Sequence, residues 1–234
     1  MNQTETELVI EWFLDLETRL RQFLRTVPLN WNYKAVLPLL SGIIVEAAGL
    51  VDSIFRKEYD LSGFRIRRKN LRITHFQEYY ERRYSLSSKN TMIYQYPPVL
   101  LTPFREWIFP SVQPESTLEW WDAYNKLKHE RIEHYSSCTL SNAILSLCAL
   151  HQVLSVLPCF FKALVAHDMI ELGEFSVSYA IEYIEQGHQD MPFLSESELF
   201  ATPYGKQRFP DNLLNIDRMS LGWRSNRLER FLGR

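Results

Sequence analysis

The chain has 234 residues, is 46% hydrophobic and 23% charged, and carries a net charge of −2. That make-up fits a globular protein with one large core, and it excludes a disordered chain or one that coats nucleic acid through a global basic field. Its three cysteines, Cys138, Cys148 and Cys159, form no Cys-x-x-Cys pair, which excludes a disulfide framework and points to a reducing, cytoplasmic compartment.

Residues Glu5 to Thr26 predict a first helix. Leu8, Trp12, Leu16, Leu20, Phe23 and Val27 recur at spacings of three and four and form its buried stripe. The acidic start, with Glu5, Glu7 and Glu11, is unlike a signal peptide. A second helix is predicted over 33–59, with Pro38 in its first turn or at a kink. Its buried stripe is Leu40, Ile43, Ala47, Leu50, Ile54 and Phe55. Gly42, Ala47, Ala48 and Gly49 leave room for another helix to come close.

A basic and aromatic stretch follows. Arg65, Arg67, Arg68, Lys69 and Arg72 precede a short third helix over Thr74 to Arg83, which carries Phe76, Tyr79 and Tyr80. This mixture suits an RNA backbone with bases stacked on rings. It equally suits a solvated surface whose aromatics face the core. Residues 92–102, around Pro97-Pro98, predict a small hairpin or extended insertion, and Pro103, Pro110 and Pro114 predict irregular chain after it.

The densest set of chemical side chains lies at Trp120-Trp121-Asp122-Ala123-Tyr124-Asn125-Lys126-Leu127-Lys128-His129-Glu130-Arg131. Ser116 or Thr117 is the expected cap of this helix, with Glu119 completing a capping box. At about 100° per residue, Trp120, Trp121, Tyr124, Leu127, Ile132 and Tyr135 share one arc. Glu119, Asp122, Lys126, Glu130 and Glu133 share the opposite one. Lys128 and Arg131 project from within the apolar arc, and Asn125 and His129 lie at its edge, one turn apart. A buried cation is costly unless paired. Lys128 and Arg131 therefore need either carboxylates, for which Glu46 and Asp52 are candidates, or an anionic ligand.

Thr139 to His167 predicts a long apolar helix bent near Pro158, buried on all sides at the domain centre or in a dimer interface. His151 within it reads as a core histidine, and its polar residues favour a core helix over a membrane span. Phe175 to Ile184 reads as strand or helix. The rest of 171–234 reads as an irregular extension that packs on the domain or on a partner. No Gly-rich phosphate loop, His-Glu-x-x-His or Gly-x-Ser-x-Gly is present. His129 and His134 are five apart, a poor spacing for two metal ligands, so no metal and no cofactor is expected.

The segment Tyr124-Asn125-(three residues)-His129, within Trp-x-x-Tyr-Asn-x-x-Lys-His-x-Arg, resembles the motif of the HEPN superfamily. That motif is an Arg, a polar residue, three residues and a His. Asn125 and His129 match it, and Tyr124 stands at the Arg position. The resemblance implies a mainly α, HEPN-like antiparallel helical bundle over 1–169, with a basic-aromatic insertion at about 60–115 and a C-terminal extension over 170–234. It implies a homodimer with the two motifs facing each other. It also implies a prokaryotic defence or toxin-antitoxin role, acting on or binding RNA. The chemistry it implies is metal-independent endoribonuclease cleavage, with His129 as general acid or base, Asn125 orienting it, and Lys128 or Arg131 supplying the cation that Tyr124 cannot. The alternative is a non-catalytic module that dimerises and binds a partner protein or nucleic acid. A third possibility is that Asn125, Lys128, His129 and Arg131 form a structural knot against the second helix. In that case His129→Ala and Arg131→Ala lower the melting temperature by several degrees.

Overall fold

Helix α1 (Gln3–Leu24) starts from a reciprocal cap. The Asn2 side chain accepts from the Glu5 N–H, and the Glu5 carboxylate accepts from the Asn2 N–H. Helix α2 (Pro38–Glu58) begins on Pro38, whose missing N–H is no loss at a first helical position. Helix α3 (Ile73–Tyr84) ends at Ser85, which takes a left-handed conformation at φ 52°. Strands β1 (Thr91–Ile93) and β2 (Val99–Leu101) pair antiparallel, so of the hairpin and the extended insertion expected here the chain forms the hairpin. Helix α4 (Glu119–His129) and helix α5 (Leu140–Val156) follow, and Thr139 caps α5 through its hydroxyl. Past the break at Pro158 the chain turns by 86° into α6 (Phe161–Ala166). Helix α7 (Val177–Glu185) and strands β3 (Leu194–Glu196) and β4 (Phe200–Pro203) complete the order. This computed structural model describes residues 1–27, 33–60, 70–95, 98–107, 118–188, 192–211 and 228.

The fold is mainly α, with one small antiparallel sheet of order β2-β1-β4-β3. Helix α5 is its centre. It packs against α1, α2, α4 and β4, and it is buried on nearly every face, as its all-round apolar character requires. Helix α2 is long and apolar enough by composition to cross a membrane, and half of that stretch is buried against the rest of the chain. Gly49 faces the Tyr124 ring of α4, and a Cβ there would meet it at 3.9 Å, an ordinary van der Waals contact. On α3, Phe76 and Tyr80 turn inward onto Phe55, so the aromatics of this stretch serve the core.

Two expectations change. Leu8 and Trp12 are 42% and 50% exposed, and the inner face of α1 is instead Val9, Ile10, Phe13, Leu16, Glu17 and Leu20. After residue 170, the run read as strand or helix is helix α7, and the part read as irregular contributes two strands, of which β4 lies inside the sheet between β1 and β3.

Buried polar side chains fix that segment in place. Glu17 accepts from the Ser197 hydroxyl, from the Leu199 N–H at 2.9 Å and from the Glu198 N–H at 3.2 Å, so it closes the β3–β4 turn. Burial holds the Glu17 pKa above the usual carboxylate range, although these donors oppose the shift. Lys89, buried and without a carboxylate partner among the described residues, donates through Nζ to the carbonyls of Pro203, Gly205 and Gln207. Asn90 bonds both the N–H and the C=O of Phe209, at 2.8 and 2.9 Å. Thr91, Thr202 and His151 form a buried chain, with Thr91 Oγ1 2.7 Å from Thr202 Oγ1 and His151 Nδ1 2.8 Å from the same oxygen. His151 is thus the core histidine expected.

Candidate functional site

Helix α4 is anchored along its apolar face. Trp120, Trp121, Ala123, Tyr124 and Leu127 are buried, and Trp120 Nε1 donates to the Pro103 carbonyl at 2.8 Å. The expected capping residues Ser116 and Thr117 lie outside the described residues, and the helix starts directly after Leu118 without a side-chain cap. It stops at His129, with Glu130 leaving helical geometry at φ −137°. No Gly or Pro marks this stop. The Leu37 N–H to the Cys138 carbonyl (3.1 Å) and the Leu140 N–H to the Ala35 carbonyl (2.9 Å) hold the start of α5 against the chain before α2. The stretch between the two helices must therefore turn, and tertiary bonds override helix propensity here.

The early stop changes the surface. Ile132 and Tyr135, expected on the buried arc, are 89% and 62% exposed. Arg131 leaves the helix and is exposed as well. Asn125, Lys128 and His129 are exposed on α4 itself, Asn125 one turn before His129. Three potentially chemical side chains thus stand near the C-terminal end of α4, and Arg131 lies just past it. Cations are favoured there by the partial negative charge of the helix terminus.

Their expected acidic partners are engaged elsewhere. Glu46 receives the Arg19 guanidinium on both oxygens, at 3.3 and 2.5 Å. Asp52 receives Arg56 Nε at 3.0 Å on both oxygens. Lys128 Nζ instead donates to its neighbour's hydroxyl, Tyr124 Oη, at 3.0 Å, and lies 5.1 Å from the centroid of that ring. This hydrogen bond raises the Lys128 pKa above its ordinary value, with a smaller contribution from the Asp52 charge. Among the described residues, the side chains of Asn125, His129 and Arg131 make no hydrogen bond or ion pair. The buried knot against α2 is therefore absent among them. We expect His129→Ala and Arg131→Ala to leave stability within about 0.5 kcal/mol of wild type, as for other exposed positions, when checked by thermal melts.

Beside Tyr124 and Lys128, α1, α2 and α4 enclose a groove of about 480 Å³. Its apolar lining includes Trp12, Leu16, Val45 and Leu50, and Asp15, Glu46 and Asp52 line it too. Trp12, which the apolar repeat of α1 places in the core, is half exposed and lines this groove instead. Glu130, Glu133 and His134 bring potential ligand atoms within 4.8 Å of one another at the surface. The i,i+4 contact of His134 Nε2 with Glu130, at 3.2 Å, accounts for two of the three.

Of the basic stretch, Arg72 is exposed at the cap of α3, where its N–H donates to His75 Nδ1 at 2.9 Å. Arg65, Arg67, Arg68 and Lys69 lie outside the described residues. On α3, Arg82 pairs with Glu78 at 3.1 Å, and Arg83 covers the Tyr79 ring at 3.9 Å. No family model, curated protein or solved structure matches the chain.

Proposed function

We propose that this chain is a HEPN-like protein of the prokaryotic defence or toxin type that acts on RNA at the exposed end of α4, as a metal-independent endoribonuclease. One observation carries the reading. Asn125, Lys128, His129 and Arg131 are each exposed along the last turn of α4 or just past it, while the carboxylates expected to neutralise the cations are held by Arg19 and Arg56. A phosphodiester supplies the missing negative charge. In the reaction, a ribose 2′-hydroxyl attacks the adjacent phosphorus as the 5′-oxygen leaves, giving a cyclic phosphate and a 5′-hydroxyl. His129 accepts the proton of the attacking hydroxyl or donates one to the leaving oxygen. Lys128 and Arg131 offset the charge that develops on the phosphate, and Asn125 orients the imidazole or a phosphate oxygen.

A homodimer with the two α4 ends facing each other forms part of the proposal. It would turn an open surface into a cleft and bring a second imidazole to the same phosphate. The exposure of Ile132 and Tyr135 next to the motif supports it, because these side chains would gain a contact.

A second reading, a non-catalytic HEPN-like module that binds RNA or a partner protein, is favoured by one observation. Tyr124, at the position of the family's Arg, is only 4% exposed, and its hydroxyl is occupied by Lys128. Incubation of cellular RNA in EDTA with wild type and with His129→Ala separates the two readings. The first predicts cleavage with cyclic-phosphate ends by wild type alone. Silence from a folded, dimeric wild type selects the second.

A further inference from the structure

The groove between α1, α2 and α4 has no role in the reading above, yet it is built like a ligand site. Its volume of about 480 Å³ lies in the range of small-molecule sites. It adjoins the end of α4, because Lys128 lines it and precedes His129. Among the described residues that line the groove, Lys128 is the one cation. Trp12 lines it from α1. Its indole is 50% exposed and stacks on no other ring among the described residues.

Asp15 lies three residues after Trp12 on the same face of α1, so a ring and a carboxylate line the groove side by side. The other two carboxylates of the lining are taken, Glu46 by Arg19 and Asp52 by Arg56. Asp15 differs. It meets Arg19 Nε at 3.3 Å as an ion pair, but it accepts no hydrogen bond among the described residues. Its two oxygens keep their acceptor positions. The charges of Arg19, Arg56 and Lys128 balance those of Asp15, Glu46 and Asp52, so these six groups do not repel an RNA strand.

Stacking on Trp12 is open to any base, since every base has a π-face. The carboxylate discriminates between them. Guanine carries two N–H groups side by side on one edge, at N1 and N2, and they match the two oxygens of Asp15. Adenine and cytosine set an acceptor beside their amino group, and uracil sets carbonyls on both sides of its N–H. We propose that the groove is the base subsite of the α4 site and selects guanine next to the phosphate held by Lys128. The proposal rests on the RNA reading given above.

The probes are fluorescein-labelled oligouridylates with guanosine, inosine, adenosine, cytidine or uridine at one central position. They are titrated with the full chain carrying His129→Ala, which blocks cleavage. The guanosine probe is expected to bind about tenfold tighter than the uridine one, and the inosine probe, which lacks the 2-amino group, in between. Adding Trp12→Ala should weaken the guanosine probe about tenfold, as for the loss of one stacked base. Adding Asp15→Ala should bring the ratio of guanosine to uridine affinity to one. That ratio is unmoved by a general change of charge. Both substitutions fall at exposed positions of α1 and should leave the fold intact in thermal melts. Affinity that is independent of the central base, or unaltered by Trp12→Ala, would overturn the proposal. If Lys128→Glu with Arg131→Glu still weakened binding in that case, the RNA reading would stand without it. No binding of any probe would overturn both. Self-association that Trp12→Ala abolishes would make a second copy the occupant and would also overturn the proposal.

Discussion

Lys89→Met is expected to lower the melting temperature by roughly 6–12 °C, from a net loss of about 3 kcal/mol. Lys89 is 1% exposed, and its Nζ satisfies three backbone carbonyls, at Pro203, Gly205 and Gln207. Three acceptors need all three hydrogens of an ammonium, while burial pulls the Lys89 pKa well below its ordinary value. Methionine fills similar volume but leaves three carbonyls without a donor, two of them on the buried residues Pro203 and Gly205. Each such loss costs about 1–3 kcal/mol, and removal of a desolvated charge offsets part of it. The damage should centre on 203–209, which Lys89 and Asn90 together clamp, and hydrogen exchange there should rise first. An unchanged melting temperature would mean that the desolvation of the charge equals everything its hydrogen bonds return.

The second large effect is a dependence of stability on pH that runs through His151. Its ring lies between Phe13 and Phe200, with centroids 5.4 and 5.7 Å away, and burial pushes its pKa down to about 3. The unfolded chain binds this proton near pH 6.5, and the folded chain does so only near 3. Between those values the unfolded state therefore holds more protons, and stability falls as pH falls. The slope is about 1.4 kcal/mol per pH unit, and the whole window amounts to about 5 kcal/mol. Glu17 acts with the opposite sign. Its raised pKa favours the folded state as pH falls towards the ordinary carboxylate value. Chemical denaturation between neutral pH and about pH 4 should show the loss in wild type and a much flatter profile in His151→Phe, which keeps a ring in the same place. Identical slopes in the two proteins would assign acid sensitivity to other groups.

Much of the helical frame was legible because local pattern and tertiary need agree there. The apolar repeats of α2 and α5, Pro38 in a first helical turn and Pro158 at a break each act over a few residues, so sequence spacing reports them. What escaped is non-local. Glu17 and Lys89 look like surface charges in sequence, because their partners lie 180 and more than 110 positions away. Strands β3 and β4 are three and four residues long, too short to display an alternation. Trp12 fits the apolar repeat of α1, yet the face that meets α5 is centred on Phe13, which leaves Trp12 on the groove. At the candidate site, the side chains Asn125, Lys128, His129 and Arg131 were legible as a group. Their setting was not, because the end of α4 is set by backbone bonds around residues 35–37 and 138–140 that no repeat records.

The central claim is that the end of α4 is an open, cationic surface for an RNA phosphate. Its most direct test is anisotropy of a labelled single-stranded RNA, measured over a range of salt with His129→Ala and with His129→Ala also carrying Lys128→Glu and Arg131→Glu. The account predicts that His129→Ala binds without cleaving. The charge-reversed protein, compared at a temperature where both are folded, should lose binding, with a salt dependence shallower by about 0.7 per lost phosphate contact. Equal affinity and equal salt slope in the two proteins would contradict it and would place any RNA contact away from α4.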